Sequence, residues 1–333
     1  ELLQATIAGY SRHPNFGGLI VIGLGCEVNQ VSGMAQSMSW ANSDTFKMMT
    51  IQEVGGTRKT IQEGVEIIKQ MLPILDKNKR IKCPASELVL GLECGGSDAY
   101  SGMTANPALG AAVDLLVKNG GTGTLAETPE IFGAEHLLTR RAISEEVGQK
   151  IVNFIKWWQE DYLIKFEENK EQLHQDPSPG NKAGGLTTIL EKSLGAVAKG
   201  GTTNLVDVYQ FAENIKAKGF TFMNTPGYDV TSVTGLIAGG ANMICFTTGR
   251  GSVFGCKPTP SIKLATNDDL YNRMTEDMDV NCGKILLGKS TIEEMGQEIF
   301  HLILDVASGK QSKSEINGLG DLEFVPWQMG AIT

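Results

Sequence analysis

The chain has 333 residues, 41% of them hydrophobic and 20% charged, which is enough apolar side chain for a buried core and excludes global disorder. Its net charge is −9 and no lysine/arginine run exceeds two residues, which argues against a nucleic-acid surface. No apolar run approaches the ~18 residues of a membrane span, and no signal-peptide pattern opens the chain.

Residues 1–12 read as a helix, and the first residue, Glu1 rather than Met, reads as the start of a fragment. Leu19–Leu24 is a continuous apolar run ending at a glycine, the pattern of a strand buried on both faces. Lys59–Asp76 spaces Ile61, Val65, Ile68 and Leu72 as the apolar stripe of a helix. A second buried strand follows at Leu88–Leu92, a helix at Pro107–Lys118, and a third strand at Thr122–Ala126. Ser144–Asn169 carries Val147, Ile151, Ile155, Trp158, Tyr162 and Phe166 on one stripe, with Ser144 as N-cap.

Residues 170–185 are polar and rich in proline and glycine, and they divide the chain into a first lobe, 1–175, and a second, 176–333. Beyond them the alternation resumes. Helices are expected at Thr187–Val197 and Thr231–Gly240, and strands at Thr221–Asn224, Met243–Thr247 and Ser261–Ala265. The closing helix, Thr291–Ser308, has Ser290 and Glu293 in capping-box spacing. Strand–helix alternation throughout predicts an α/β fold of two lobes, each a mostly parallel sheet flanked by helices.

Forty glycines, against an ordinary ~7% of residues, cluster where apolar runs end. Ligands of parallel sheets bind beyond the carboxyl ends of the strands, so these clusters are the candidate chemistry. Gly23-Leu24-Gly25-Cys26-Glu27 follows the first run, and Glu93-Cys94-Gly95-Gly96-Ser97-Asp98 the second. Glu127-Thr128-Pro129-Glu130 follows the third, and Thr247-Thr248-Gly249-Arg250-Gly251 a strand of the second lobe. A dinucleotide fingerprint would need glycine where Val28 stands, so no NAD is expected. Each cluster could be no more than a turn; a thiol, a hydroxyl and two carboxylates beside paired glycines favour function at 93–98.

The histidines are few. His13 before Pro14 and His174 in the connector read as solvated, His301 as a surface residue, and His136 as the one near a strand end. Six cysteines at 26, 83, 94, 245, 256 and 282 form no CxxC pair, which fits reduced thiols in a cytoplasm.

Read in order, the strings RHPNFGGLIVIGLGCEVNQ (12–30), LECGGSDAYSGMTANPALG (92–110), ETPEIFGAEHLL (127–138), PSPGNKAGGLTTILEKSLG (177–195) and FTTGRGSVFG (246–255) resemble the large catalytic region of the altronate/galactarate dehydratase family. GLGCEVNQ, ETPEIFGAE and PSPGNKAGGLTT look nearer the altronate branch; a sulfolactate sulfo-lyase branch departs at GLGCE and TTGRG. The resemblance implies a hydro-lyase that removes water from a sugar acid to give a 2-keto-3-deoxy acid. It also implies a small β-rich domain and an opening strand upstream of these residues, in cis or as a separate subunit, and a homo-oligomer.

That reaction needs a base for the proton alpha to a carboxylate, a cationic group for the enediolate, and an acid for the departing hydroxyl. Strand-end placement suggests Lys182 and Arg250 as clamps, Lys182 also as candidate base, with Glu127 and Asp98 as proton-transfer groups. Ser97, Asn181, Thr247, Thr248 and Lys263 suit the substrate's polar groups. Cys26, Glu27, Glu93 and Cys94 are the candidate ligands of a divalent metal: Fe2+ first, Mn2+ or Mg2+ also suiting a carboxylate-rich site. An iron–sulfur cluster on Cys26, Cys94 and an upstream cysteine is the alternative.

Overall fold

The structure, a computed structural model, describes residues 1–38, 40, 42–162 and 177–329. Helix α1 (Leu2–Ser11) leads into strand β1 (Leu19–Gly23), helix α2 (Val31–Met38), strand β2 (Phe46–Thr50) and helix α3 (Thr57–Leu75). β1 and β2 pair in parallel as a two-stranded sheet. Ile61, Val65 and Ile68, expected to be buried, instead line an apolar groove of about 620 Å³ with Phe16, Leu19 and Ile20. The buried positions of α3 are Thr60, Gly64 and Met71, because a two-stranded sheet covers only that narrower face.

The main body is a seven-stranded sheet, parallel throughout. In chain order its elements are β3 (Val89–Cys94), α4 (Ala105–Lys118), β4 (Thr122–Leu125), α5 (Glu145–Lys156), α6 (Ile189–Val197), β5 (Leu205–Tyr209), β6 (Gly219–Met223), α7 (Asp229–Ala238), β7 (Met243–Thr248), β8 (Ser261–Ala265), β9 (Val280–Asn281) and α8 (Ile292–Ala307). The spatial order is β5-β6-β4-β3-β7-β8-β9. Leu90, Leu92, Phe220, Phe222, Ile244, Phe246, Ile262 and Leu264 are fully buried, as strands covered by helices on both faces require.

The expected boundary at 175/176 is not where the sheets divide. β3 pairs with β7 and β4 with β6, so strands from both sides of that point share one sheet. The division falls between β2 and β3. The connector is no linker either: Pro179–Ala183 forms a helical turn whose Asn181, buried, donates to the Ser97 carbonyl at 3.0 Å. His174, Phe166 and residues 163–176 of the expected helix and connector lie outside the described residues.

Local signals hold with small shifts. The Ser144 hydroxyl accepts from the Val147 N–H and caps α5, which passes into a π-helical turn at Trp157–Tyr162. The capping box of α8 is Thr291 with Glu294, one residue beyond the expected pair. α2, β2, β5 and β9 had no counterpart among the expected elements. All six cysteines are unpaired. No helix among the described residues is long and apolar enough to cross a membrane.

His13 corrects the solvated reading, being 4% exposed. Its Nδ1 accepts from the Asn15 N–H at 3.2 Å, so Nε2 carries the hydrogen and donates to the Ala241 carbonyl at 2.9 Å. Burial holds this imidazole below its ordinary range, and the Ala241 bond offsets that only in part. The folded state therefore binds this proton less readily than the unfolded chain. The stability it confers is full above pH ~6.5 and is lost as pH falls from there toward the folded value. Melting curves at pH 5.5 and 7.5 should show a larger drop for the wild type than for His13→Gln; equal drops would refute the assignment.

Candidate functional site

The chain leaves β3 toward β4 on one side and leaves β7 toward β8 on the other. Helices on opposite faces consequently diverge at the carboxyl ends of β3 and β7, which opens a crevice there. The glycine clusters occupy this point. Gly95 N–H donates to the Thr247 carbonyl, and the N–H groups of Gly249 and Arg250 both reach the Gly96 carbonyl. Gly96 (φ 60°) and Gly251 (φ 107°) adopt left-handed backbone. A Cβ at Gly95 would collide with the Asp229 carboxylate and the Phe246 ring.

The crevice is a cleft of about 740 Å³, lined among others by Cys94, Glu130, Trp158, Ser193, Asp229 and Arg250. The apolar groove beside α3, by contrast, has no charged lining residue. Trp158 is held by its indole N–H, which donates to Asn224 Oδ1 at 2.8 Å, and it stacks on Trp327 with ring centroids 5.3 Å apart.

Beneath the cleft lies a buried charge cluster. Lys199 and Glu127 are both 0% exposed and meet at 3.0 Å. Lys199 Nζ also contacts Cys94 Sγ at 2.8 Å, and the Cys94 thiol donates to Glu127 Oε2 at 3.3 Å and Glu130 Oε2 at 3.1 Å. Lys192 pairs with Glu130. Glu127 has left-handed backbone, φ 67°, and its N–H donates to Thr225 Oγ1. A non-glycine residue in that region costs of order 1–3 kcal/mol and marks a position held for its side chain.

Protonation follows from these contacts. Burial, then the Glu127 charge, pushes the Glu93 carboxyl well above the usual range, so it keeps its proton. Burial acts on Glu127 in the same direction, but Lys199 and the Glu93 hydrogen bond outweigh it and hold Glu127 ionised. Burial, then Glu127 and Glu130, pushes the Cys94 thiol well up. The Lys199 ammonium stays charged because the groups packed on it outweigh its burial. Burial, then the charges of Glu127 and Glu130, pushes Asp229 up to about 7.

The expected site residues divide into three sets. Cys94, Glu93, Glu127 and Arg250 meet at the cleft or directly beneath it, and Asn181 lines its rim. Arg250 is exposed, and its side chain makes no hydrogen bond or ion pair among the described residues. Asp98, buried, is instead a structural knot: Ser101 and the Tyr100 N–H donate to Oδ1, Thr266 and Asn267 to Oδ2. Ser97 is likewise buried, and its carbonyl holds Asn181. Thr247 donates to Asn106 and Thr248 accepts from the Gly251 N–H, so both serve the scaffold. Lys263 is buried and donates to the Ser252 carbonyl. Lys182 is exposed on its helical turn, without the burial that a lysine base requires. His136 is exposed and does not line the cleft.

The third set is Cys26 and Glu27, at the end of β1 in the other sheet. Cys26 is exposed. The Glu27 carboxylate accepts from backbone N–H groups of its own loop, its own first and then those of Gly25 and Leu24, and these bonds hold it below the usual range. Two groups of three possible metal ligands occur among the described residues: Cys94, Glu127 and Glu130, and Glu93, Glu127 and Asp229. Neither includes Cys26 or Glu27, so these two groups do not bring together the whole expected ligand set. In the first group the Lys199 ammonium already sits on Cys94 and Glu127.

Lys199, Lys192, Asp229 and Ser193 were not singled out from the sequence. Ser193 is 0% exposed, its hydroxyl has no partner among the described residues, and it lines the cleft. The one available signal was Lys199 itself, a lysine set between the apolar run Ala196-Val197-Ala198 and a glycine pair.

The profile described as D-galactarate/altronate dehydratase, C-terminal, matches residues 85–332, and that described as D-galactarate dehydratase/altronate hydrolase, second domain, matches residues 1–76. The chain is 42% identical over 313 residues to galactarate dehydratase (L-threo-forming) of Escherichia coli, covering 92% of this chain and 59% of that protein. It is 40% identical to altronate dehydratase of Bacillus subtilis, covering 93% of this chain and 61% of that protein. It is 31% identical to (2R)-sulfolactate sulfo-lyase subunit beta of Chromohalobacter salexigens, covering 98% of this chain and 82% of that subunit. The chain thus spans about three-fifths of the length of each of these dehydratases.

Removing Lys199 should leave Glu127 buried without its counter-charge. Lys199→Met is expected to cost about 3–5 kcal/mol in denaturant unfolding. The double variant Lys199→Met/Glu127→Gln should recover most of that loss; a double variant no more stable than the single one would exclude the ion pair as the cause.

Proposed function

The chain belongs to the D-galactarate/altronate dehydratase family, and on that footing we propose that it forms the catalytic region of a sugar-acid dehydratase. The reaction is elimination of water from an aldonate such as D-altronate to give a 2-keto-3-deoxy acid. One observation supports this most directly: the cleft at the strand switch point carries an exposed guanidinium, Arg250, without an ion-pair partner among the described residues, on a lining shared with Glu130, which pairs with Lys192, above the buried Lys199–Glu127 pair.

The elimination needs the proton alpha to the substrate carboxylate removed while charge builds on that carboxylate. Arg250 suits the carboxylate, because its fork binds both oxygens at once and strengthens as the enediolate forms. Glu130, at the cleft wall and paired with Lys192, takes the proton-transfer role expected of Asp98. Ser193 and Asn181 face the cleft with groups that suit substrate hydroxyls. A divalent cation, when bound, supplies a second positive charge for the enediolate.

Identity to the galactarate and altronate enzymes is nearly equal, 42% and 40%, so the substrate is argued from the cleft. Arg250 is its one lining cation without an ion-pair partner among the described residues, while Glu130 and Asp229 stand on the wall. One such cation suits one carboxylate. This favours an aldonate over an aldarate, whose second carboxylate would face like charge.

A 2-keto-acid assay with D-altronate and galactarate, supplemented with Fe2+, tests the reading on a full-length protein carrying these residues. Turnover of altronate in preference to galactarate is expected. Arg250→Ala should lower kcat/KM by at least 10²-fold, chiefly through KM, and Glu130→Gln should lower kcat with KM little changed. Wild-type kinetics in Arg250→Ala, or binding of either acid without turnover, would defeat the proposal.

A further inference from the structure

Cys94 and Lys199 take no part in the proposed elimination, and they touch each other. Lys199 Nζ lies 2.8 Å from Cys94 Sγ and 3.0 Å from Glu127 Oε2. The Cys94 thiol donates to Glu130 Oε2 at 3.1 Å and to Glu127 Oε2 at 3.3 Å. Cys94 is only 2% exposed, yet it lines the cleft, so a molecule as small as hydrogen peroxide reaches its sulfur from there. Among the described residues no other cysteine accepts a hydrogen bond from a lysine, and none of the other five lines the cleft.

We propose that Cys94 and Lys199 are a reversible modification site, at which a peroxide oxidises the thiol and the lysine nitrogen captures the product as a sulfur–nitrogen crosslink. In the first step the sulfur attacks the peroxide. An S–O bond forms, the O–O bond breaks, and the thiol proton passes by way of Glu130 to the departing oxygen, which leaves as water. The sulfur is oxidised by two electrons to a sulfenic acid and the peroxide is reduced. In the second step Lys199 gives one proton to Glu127, and its free amine attacks the sulfenic sulfur. An S–N bond forms, the S–O bond breaks, and the hydroxyl leaves as water with a second lysine proton. No further oxidant enters.

Distance, charge and rate agree. Nζ stands 2.8 Å from Sγ, inside the ~3–3.5 Å separation of a near-attack position. The Lys199 ammonium and the Glu127 carboxylate lose their charges together, so the crosslink leaves no uncompensated charge in the buried cluster. Burial, then Glu127 and Glu130, keeps Cys94 a thiol, which makes the first step slow. The adjacent amine then intercepts the sulfenic acid before a second peroxide carries it to the irreversible sulfinic acid. The bond ties the end of β3 to the turn Ala198–Gly200 that follows α6. An external thiol attacking the sulfur returns the Cys94 thiol and the Lys199 amine, and is itself oxidised to its disulfide.

The test needs no substrate and stands apart from the dehydratase reading. The 333-residue chain, with the exposed Cys26 and Cys83 replaced by serine, is treated with hydrogen peroxide, digested with trypsin and read by mass spectrometry. A linked pair is expected, residues 83–118 joined to residues 193–216, because modified Lys199 is no longer a cleavage site. Its mass should fall below the sum of the two peptides by two hydrogen atoms, with fragment spectra separating any oxygen on Met103 from the product at Cys94. Dithiothreitol should release the pair. Cys94→Ser should abolish it, and Lys199→Arg, which keeps the charge, should send Cys94 on to oxygenated acids. Melting curves show whether each variant is folded; where Lys199→Arg is not, the product in the parent chain decides. A Cys94 in the parent chain that carries oxygen instead of the lysine nitrogen would overturn the site. So would a Cys94 left reduced at a peroxide dose that fully oxidises Cys26 of the unsubstituted chain.

Discussion

A buried lysine fixes the layout of the cleft. Lys199, fully buried, follows α6 in a 3-10 turn, and its partners Cys94 and Glu127 end β3 and begin the segment after β4. An ammonium taken out of water costs several kcal/mol unless its counter-charge and hydrogen bonds are in place, so these three segments must arrive together. That demand determines where α6 docks. α6 carries Lys192 to Glu130 and Ser193 to the cleft, so the same ion pair sets the acidic wall and the exposed rim.

The glycine surplus has a specific origin at this place. β3 and β7 are adjacent strands whose continuing loops must pass within hydrogen-bonding distance of each other and of the start of α7. Gly95 leaves room for the Asp229 carboxylate, while Gly96 and Gly251 supply the left-handed turns that let the Gly96 carbonyl take both the Gly249 and Arg250 N–H groups. Arg250 is thereby fixed by its backbone, while its side chain makes no hydrogen bond or ion pair among the described residues. Other glycines serve packing: Gly296 lets α8 lie against Ala108 and Ala111 of α4.

The sequence was most legible where local chemistry decides. Runs such as Val89–Leu92 and Met243–Thr247 are strands buried on both faces, and both the parallel α/β class and the strand-end position of the chemistry follow from them. It was least legible where a partner far along the chain decides. Asp207 hides β5 from a hydrophobic reading, although Lys150 meets its charge from α5 at 2.8 Å. Asp98 looked catalytic beside Glu93 and Gly95, but its four hydrogen bonds include two from residues near 266, which no local pattern announces. The lobe boundary failed for the same reason. A polar, glycine-rich stretch marks solvent exposure, and here it continues into Asn181 at the cleft rim, not into a gap between sheets.

What separates scaffold from function in this cluster is satisfaction. Asp98, Thr247 and Lys263 all sit at strand ends and all have their polar atoms matched within the chain. In the cleft, two groups are unmatched among the described residues, the Arg250 guanidinium and the Ser193 hydroxyl. A buried hydroxyl and an exposed guanidinium without partners at the switch point of a parallel sheet call for a ligand, and both are donors suited to an oxygen-rich anion.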